Sequence, residues 1–108
     1  MVTAIFRSRL REDADSGYRA LAARMLELAR SMPGFVDFKS FRAEDGERVS
    51  LIEFESLATL EAWRDDPEHL KAQREGRERF YSEYRLQLCE PLRAYHFDGE
   101  ERHEEADF

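Results

Sequence analysis

The feature that most constrains the fold is an amphipathic segment in the first third of the chain. Apolar side chains recur there at intervals of three and four residues, namely Tyr18, Leu21, Ala22, Met25, Leu28, Ala29 and Met32. This spacing predicts a helix with one apolar stripe. Asp15 or Ser16 can cap its start, and Pro33 and Gly34 end it. An amphipathic helix is therefore expected between two segments of different pattern.

Those two segments are typical of β-strands. Residues 2–10 are β-branched and aromatic at first and alternate toward the end, which predicts a first strand. Residues 35–42 and 48–55 read as strands two and three. The turn residues between them, at 44–47, predict a hairpin.

A second helical region follows the hairpin. Ser56 can cap a short helix whose apolar residues stand at positions 57, 60 and 63. Asp66 and Pro67 interrupt it and also start the next helix, with Asp as the cap and Pro at the first helical position. That helix is expected to run to about Phe80, with Gly76 as a weak point inside it.

The last predicted strand, residues 84–97, completes the order β-α-β-β-α-β. Pro91 cannot donate a ladder hydrogen bond, so it marks a bulge or an edge in this strand. The order predicts a ferredoxin-like α+β fold, also called a split βαβ fold. In it, four antiparallel strands carry two helices on one face.

Both faces of this sheet are predicted to carry large apolar groups. Alternation in strand two puts one set of side chains on one side, namely Phe35, Asp37, Lys39 and Phe41, and another set on the other, namely Val36, Phe38 and Ser40. In strand three, Ile52 and Phe54 lie opposite Val49 and Leu51. Since the helices cover only one face, the other is expected to pack against a second copy in a two-fold homodimer.

Composition excludes several classes of protein. The chain has 108 residues, enough for one domain, and its 17 basic and 24 acidic side chains give a net charge of −7, which argues against nucleic-acid binding. No apolar run suggests a membrane span or a signal peptide. The single cysteine, Cys89, fits a reducing cytoplasm. From Asp98 onward six acids accompany one base, so residues 98–108 are expected to form a disordered acidic tail on a domain of residues 1–97.

Three segments resemble the antibiotic biosynthesis monooxygenase superfamily. They are MPGF at 32–35, EFESLATLEAW at 53–63 and PEHLKAQREGRERFYSEY at 67–84, and the resemblance extends over residues 2–97. It implies a dimeric α/β barrel in which two protomers pack sheet to sheet and the last strand reaches across the partner. Members of the superfamily include quinol or anthrone monooxygenases that use no cofactor and monooxygenases that degrade haem. Their pockets lie between the helices and the sheet.

The resemblance implies a site around Trp63. A cofactor-free oxygenase must deprotonate its substrate, hold the anion and exclude water. We expect His69 to act as the base, Trp63 to form a wall, and Arg77 or Tyr81 to stabilise the developing anion. Further substrate contacts are expected from Gln73, Phe80, Tyr84 and Phe38. His69, Gln73, Gly76 and Phe80 share one helical stripe, where Gly76 could admit another backbone or a ligand. No cofactor is implied, and no His or Cys spacing predicts a metal site.

Each candidate has an alternative interpretation. Trp63 can belong to the core and His69 to the surface, and Tyr81 and Tyr84 can hydrogen-bond across a dimer interface. Arg77 can pair with an acidic side chain on the helix surface.

The chain contains no asparagine, a residue that several members of the superfamily place beside the tryptophan. Gln73 stands where the haem-degrading branch has its ligand histidine, so haem binding or degradation is only a minor alternative. The main alternative is a homodimer that binds a small aromatic ligand, or has a structural role, without catalysis.

Overall fold

The computed structural model describes residues 1–14 and 16–99 and the backbone of residues 102–104. Four strands form one antiparallel sheet in the order β2-β3-β1-β4, and they are β1 (Val2–Leu10), β2 (Phe35–Arg42), β3 (Arg48–Phe54) and β4 (Tyr81–Cys89). Three helices accompany the sheet, and they are α1 (Gly17–Ser31), α2 (Leu57–Arg64) and α3 (Pro67–Glu75). The predicted ferredoxin-like α+β fold is confirmed.

The core lies between the sheet and the helices. Even-numbered residues of β1 face it, since Val2, Ala4 and Ser8 are buried. In β3 the inward residues are Ile52 and Phe54, which pair with Ala4 and Val2 across the antiparallel ladder. The helices add their own buried residues, namely Met25, Leu28, Ala29, Leu60, Trp63 and Ala72.

Strand β2 departs from the simple alternation that its sequence suggests. Phe35 pairs with Phe54 and Phe38 pairs with Ile52, and the register shifts between Phe35 and Asp37. Val36 is therefore an extra residue in the strand, a β-bulge, and its side chain is 46% exposed. Phe35 and Phe38 consequently both pack against the core. The prediction that they lie on opposite sides of the sheet was wrong.

The start of α2 follows the local sequence closely. The Ser56 hydroxyl accepts a hydrogen bond from the Thr59 N–H at 3.1 Å, and the Ser56 N–H donates to the Thr59 hydroxyl at 3.2 Å. This reciprocal pair is a capping box, so the predicted cap is confirmed. At the start of α1, Ser16 is the capping residue but makes no side-chain hydrogen bond to the helix. Asp15 lies outside the described residues.

Helix α3 ends earlier as an α-helix than its sequence predicts. Residues Gly76–Phe80 form one π-helical turn that leads into β4. Arg11, just after β1, holds this turn: its guanidinium donates to the carbonyl groups of Arg77, Glu78 and Tyr81 at 2.9–3.1 Å. The Arg11 N–H also donates to the Phe80 carbonyl at 2.8 Å. A single side chain thus satisfies carbonyls that a helix end leaves without partners.

The prediction of one continuous strand over residues 84–97 was wrong. Strand β4 begins at Tyr81 and ends at Cys89, just before the segment that contains Pro91. A separate short strand, β5 (Tyr95–Phe97), pairs antiparallel with β6 (Arg102–Glu104). Proline has no N–H for a ladder, which explains the break. Within the predicted acidic tail, residues 100–101 and 105–108 lie outside the described residues, and the domain boundary at residue 97 stays a prediction.

The face of the sheet that points away from the helices is partly apolar. Ile5, Val49 and Leu51 are half-buried at its centre, and Phe41 on β2 is 50% exposed. The Arg7 guanidinium pairs with the Glu47 carboxylate at 2.9 Å beside them. The predicted homodimer would cover this face, and it stays a prediction.

Candidate functional site

A cavity of about 550 Å³ opens between the helices and the inner face of the sheet. Its volume is in the range of sites that bind small molecules. Six aromatic side chains line it, namely Phe6, Tyr18, Phe38, Trp63, Tyr81 and Tyr84. Strand β4, at one edge of the sheet, contributes Leu86 and Leu88, which remain 45% and 38% exposed. The cavity is therefore aromatic and apolar over most of its wall and is open at the β4 edge.

Trp63 and His69 form one wall of the cavity as a stacked pair. Their ring centroids are 4.1 Å apart and the ring planes differ by 20°. The interruption between the two helices at Asp66 and Pro67 allows this contact, because α2 ends at Arg64 and α3 begins at Pro67. The first turn of α3 thereby brings His69 back over the last turn of α2. The indole also stacks on Phe54, with centroids 5.7 Å apart, so the Trp63 ring contacts two other rings.

One hydrogen bond determines which nitrogen of His69 is free. Nδ1 lies 3.1 Å from the carbonyl oxygen of Trp63. A carbonyl can only accept, so Nδ1 carries the proton and the lone pair of the neutral ring is on Nε2. Burial lowers the pKa of His69 below its ordinary value, and the backbone carbonyls of Trp63 and Arg64 offset part of this effect. His69 is thus a neutral imidazole at pH 7, able to accept a proton on Nε2.

The indole N–H of Trp63 is buried and has no hydrogen-bond partner. Among the described side chains it is the one buried polar atom in this condition. Leaving such a donor unpaired costs about 1–3 kcal/mol. Because this atom is buried, a molecule in the cavity does not reach it. Trp63 therefore contributes its ring, and not its N–H, to the wall of the cavity.

Three tyrosines and an arginine line another part of the cavity. The Tyr81 ring contacts the rings of Tyr18 and Tyr84 at centroid distances of 5.8 and 5.7 Å. The guanidinium of Arg48 lies 5.5 Å from the centre of the Tyr18 ring. Burial raises the pKa of Tyr81, and the adjacent Tyr18 hydroxyl raises it further. Tyr81 therefore stays protonated at neutral pH and acts as a hydrogen-bond donor rather than as a base.

Gly76 is where α3 meets this tyrosine cluster. A methyl group in place of its α-hydrogen would lie 2.7 Å from Cε2 of Tyr81 and 3.0 Å from Cδ2. Such distances leave no room for a side chain. The sequence suggested that Gly76 could admit a backbone or a ligand. The group that approaches it is the ring of Tyr81.

The structure brings most of the expected site residues to this one cavity. Its lining includes six of the eight, namely Phe38, Trp63, His69, Gln73, Tyr81 and Tyr84. Gln73 is held by its Nε2 group, which donates to the Arg64 carbonyl at 3.1 Å. Their roles in binding or catalysis stay predictions.

Two expected site residues lie elsewhere. Phe80 is only 1% exposed and contacts the ring of Tyr18 from within the core. Arg77 is outside the lining, and its Nη1 lies 3.4 Å from the Tyr84 hydroxyl. That hydroxyl takes the place of the acidic partner that the sequence offered as an alternative for Arg77. Neither residue is therefore placed to touch a molecule in the cavity, although Arg77 can orient Tyr84.

Arg48 and Tyr18 line the cavity but are not among the site residues that the sequence predicted. The signal for Arg48 is present in strand three, because position 48 has the same parity as the inward-facing Ile52 and Phe54. A charged residue at an inward-facing position is unusual and indicates either a partner or a ligand. Tyr18 was assigned only to the apolar stripe of the first helix, and nothing local distinguishes it from a core residue.

Within residues 1–14 and 16–99, no three side chains of His, Cys, Asp or Glu cluster closely enough to hold a metal ion. In the same part of the chain, none of the helices combines the length and the apolar character that crossing a bilayer requires.

Comparison with known proteins identifies the family. The family model described as antibiotic biosynthesis monooxygenase matches residues 1–75. The chain belongs to this family. The protein YqjZ of Bacillus subtilis is 31% identical over 86 residues, which cover 80% of this chain and 75% of YqjZ.

Solved structures of other proteins share the fold. Rv0793 from Mycobacterium tuberculosis superposes with a TM-score of 0.75 at 27% identity, covering 84% of this chain and 94% of Rv0793. A variant of SnoaB, a cofactor-independent oxygenase from Streptomyces nogalater, superposes with a TM-score of 0.74 at 18% identity. That match covers 86% of this chain and 94% of SnoaB. The fold of this monooxygenase family is thus the fold of this chain.

Proposed function

We propose that this protein is a cofactor-independent monooxygenase that acts on a small aromatic quinol-type or otherwise enolisable substrate. The observation that carries the proposal is the neutral imidazole of His69 in the wall of an aromatic cavity, with Nδ1–H bonded to the Trp63 carbonyl. Membership of the monooxygenase family supports it. The similarity of fold to SnoaB, a cofactor-independent oxygenase, is consistent with it.

The first step is the removal of a proton from the substrate. Nε2 of His69 accepts it from an acidic C–H or from a phenolic hydroxyl, and the electron pair stays on the substrate as an enolate or phenolate. The resulting imidazolium is stabilised by the Trp63 carbonyl at Nδ1 and by the indole face 4.1 Å away. The protonated hydroxyl of Tyr81 is a donor for the developing anion.

The second stage is the reaction of this anion with dioxygen. The anion transfers one electron to dioxygen, and the two radicals combine to form a C–O bond. The peroxide takes the proton back from His69 and loses water, leaving a carbonyl group. In sum a CH2 group and dioxygen give a C=O group and water, so the substrate supplies all the electrons.

Oxygen uptake tests the proposal directly. Purified protein is mixed with anthrone and with 1,4-dihydroxynaphthalene in an oxygen electrode, beside the variants His69→Gln and Trp63→Phe. We expect uptake above the buffer rate, reduced at least about 100-fold by His69→Gln because the base is lost. His96→Gln, which changes a histidine outside the cavity, is the matched control and should leave the rate unchanged. Uptake that His69→Gln leaves intact would remove His69 from the mechanism.

A second candidate function is ligand binding without catalysis. The observation that favours it is the complete absence of asparagine from the chain, because the resemblance to the superfamily implies such a residue beside the tryptophan. In that case aromatic quinols would bind and quench Trp63 fluorescence under anaerobic conditions, yet oxygen uptake would not exceed the buffer rate. Trp63 is the single tryptophan, so this fluorescence reports on the cavity alone.

A further inference from the structure

The charge of the cavity wall differs in sign from the charge of the whole chain. The protein carries 24 acidic and 17 basic side chains. The described residues that line the cavity nevertheless include three arginines, Arg19, Arg48 and Arg64, and no aspartate or glutamate. A low-dielectric cavity lined by one sign of charge concentrates ligands of the opposite sign. The wall is therefore suited to a molecule that is both aromatic and anionic.

Arg48 is the residue of the three that a ligand can use best. Arg64 already pairs with the Asp65 carboxylate at 3.2 Å, and Arg19 is exposed to solvent. Arg48 is half-buried, and its guanidinium forms no hydrogen bond or ion pair with any residue that the structure describes. Its contact is with the face of the Tyr18 ring, 5.5 Å from the ring centre. Such stacking fixes the plane of the guanidinium and leaves its N–H groups available.

The position of Arg48 in the sheet indicates the shape of the ligand. Arg48 is the first residue of β3, paired with Ser8 of β1. Ile52, further along the same face, lies opposite Phe38, whose ring contacts Trp63 at 6.1 Å. Four residues of strand separate positions 48 and 52, about 13 Å of backbone. A ligand that reaches both Arg48 and the Trp63–His69 wall is consequently elongated, as a molecule of fused rings is.

We infer that the cavity selects an aromatic carboxylate, with Arg48 binding the carboxylate while the ring system lies against Trp63 and His69. This inference rests on the proposed function for the reaction at the far end, and it adds the substrate class and a specificity-determining residue. Arg48 matches a carboxylate because its planar guanidinium offers paired N–H donors to the two oxygens.

Binding of a matched pair of ligands tests the inference without any oxidation. The probes are 2-naphthoate and 2-naphthamide, which have nearly the same shape and differ in charge. Isothermal titration calorimetry gives the two affinities, and quenching of Trp63 fluorescence reports binding in the cavity. We expect 2-naphthoate to bind at least about tenfold more tightly, since hydrogen bonds to charged groups contribute more than neutral ones. Equal affinities, or no binding of either probe, would overturn the inference.

Variants test whether Arg48 causes the preference for 2-naphthoate over 2-naphthamide. Arg48→Gln should abolish it by weakening 2-naphthoate alone, and Arg48→Lys should retain part of it because the charge remains. Arg30→Gln removes an equal charge from an exposed position at the end of α1, outside the cavity, and should leave the preference unchanged. A preference that survives Arg48→Gln in a protein with the parent circular dichroism spectrum refutes the role of Arg48. Oxygen uptake with uncharged anthrone is a separate readout, so the proposed function and this inference can fail independently.

Discussion

Replacing Gly76 with alanine tests how tightly α3 is packed on the cavity. Gly76 has φ −57° and ψ −47°, an ordinary helical conformation, so its backbone accepts alanine without strain. On helix propensity alone the substitution would stabilise the fold by about 1 kcal/mol. The new methyl group would however lie 2.7 Å from Cε2 of Tyr81, which no real packing tolerates. The gain in helix propensity and the steric clash with Tyr81 therefore oppose each other.

The clash determines the sign of the change. The Tyr81 ring has little freedom to move away, because the rings of Phe6 and Tyr18 contact it at 5.5 and 5.8 Å. Overpacking of this kind costs about 1–3 kcal/mol. After the propensity gain is subtracted, we expect Gly76→Ala to lower the free energy of unfolding by about 1 kcal/mol. The corresponding fall in melting temperature is about 4–8 °C for a domain of this size.

A double-mutant cycle separates the two effects. Urea unfolding at fixed protein concentration, followed by far-ultraviolet circular dichroism, measures the free energy of unfolding for each protein. In the Tyr81→Ala background the clash is absent, so adding Gly76→Ala should stabilise by about 1 kcal/mol. The same substitution thus changes sign between the two backgrounds. A Gly76→Ala protein that is more stable than the parent, or the same effect in both backgrounds, would refute the packing argument.

Two further predictions concern a cap and a buried base. Ser56→Ala removes the acceptor for the Thr59 N–H and should lower the free energy of unfolding by about 1 kcal/mol in the same assay, whereas no change would mean that Thr59 caps α2 alone. For His69, burial lowers the pKa in the folded state below that of the unfolded chain. The unfolded state thus binds more protons at acidic pH, and stability falls as the pH is lowered through about 6.5, the ordinary pKa of a histidine. His69→Gln should show a smaller fall than the parent, and an equal or larger one would contradict the assignment.

Local patterns in the sequence were sufficient for the elements that depend on neighbouring residues. The period of α1 and the cap of α2 are such cases, since the groups that form them are three or four positions apart. The bulge at Val36 could not be predicted in this way. The segment FVDF is compatible both with regular alternation and with a bulge at Val36. Only the pairing of Phe35 with Phe54 on another strand decides between the two arrangements.

In the site, too, some contacts follow from the local sequence and others do not. Trp63 and His69 are close because one helix ends and another begins between them, and the sequence marks this point with Asp66 and Pro67. The tyrosine cluster with Arg48 draws its members from α1, β3 and β4, and no local pattern joins those three segments. Arg77 was misplaced because the expected regular α-helix gives way to a π-helical turn at Gly76, which changes the direction of the side chains that follow.

The contacts of Arg11 have a consequence for engineering the protein. Its hydrogen bonds to the turn before β4 connect the end of β1 with the start of β4, which are far apart in the sequence. After Arg11 the chain leads to α1, which begins at Gly17 and whose first residues line the cavity. Lengthening such a loop costs only about 0.6 kcal/mol for each doubling. The loop is thus a suitable place to insert a reporter sequence beside the cavity while Arg11 keeps β1 and β4 in register.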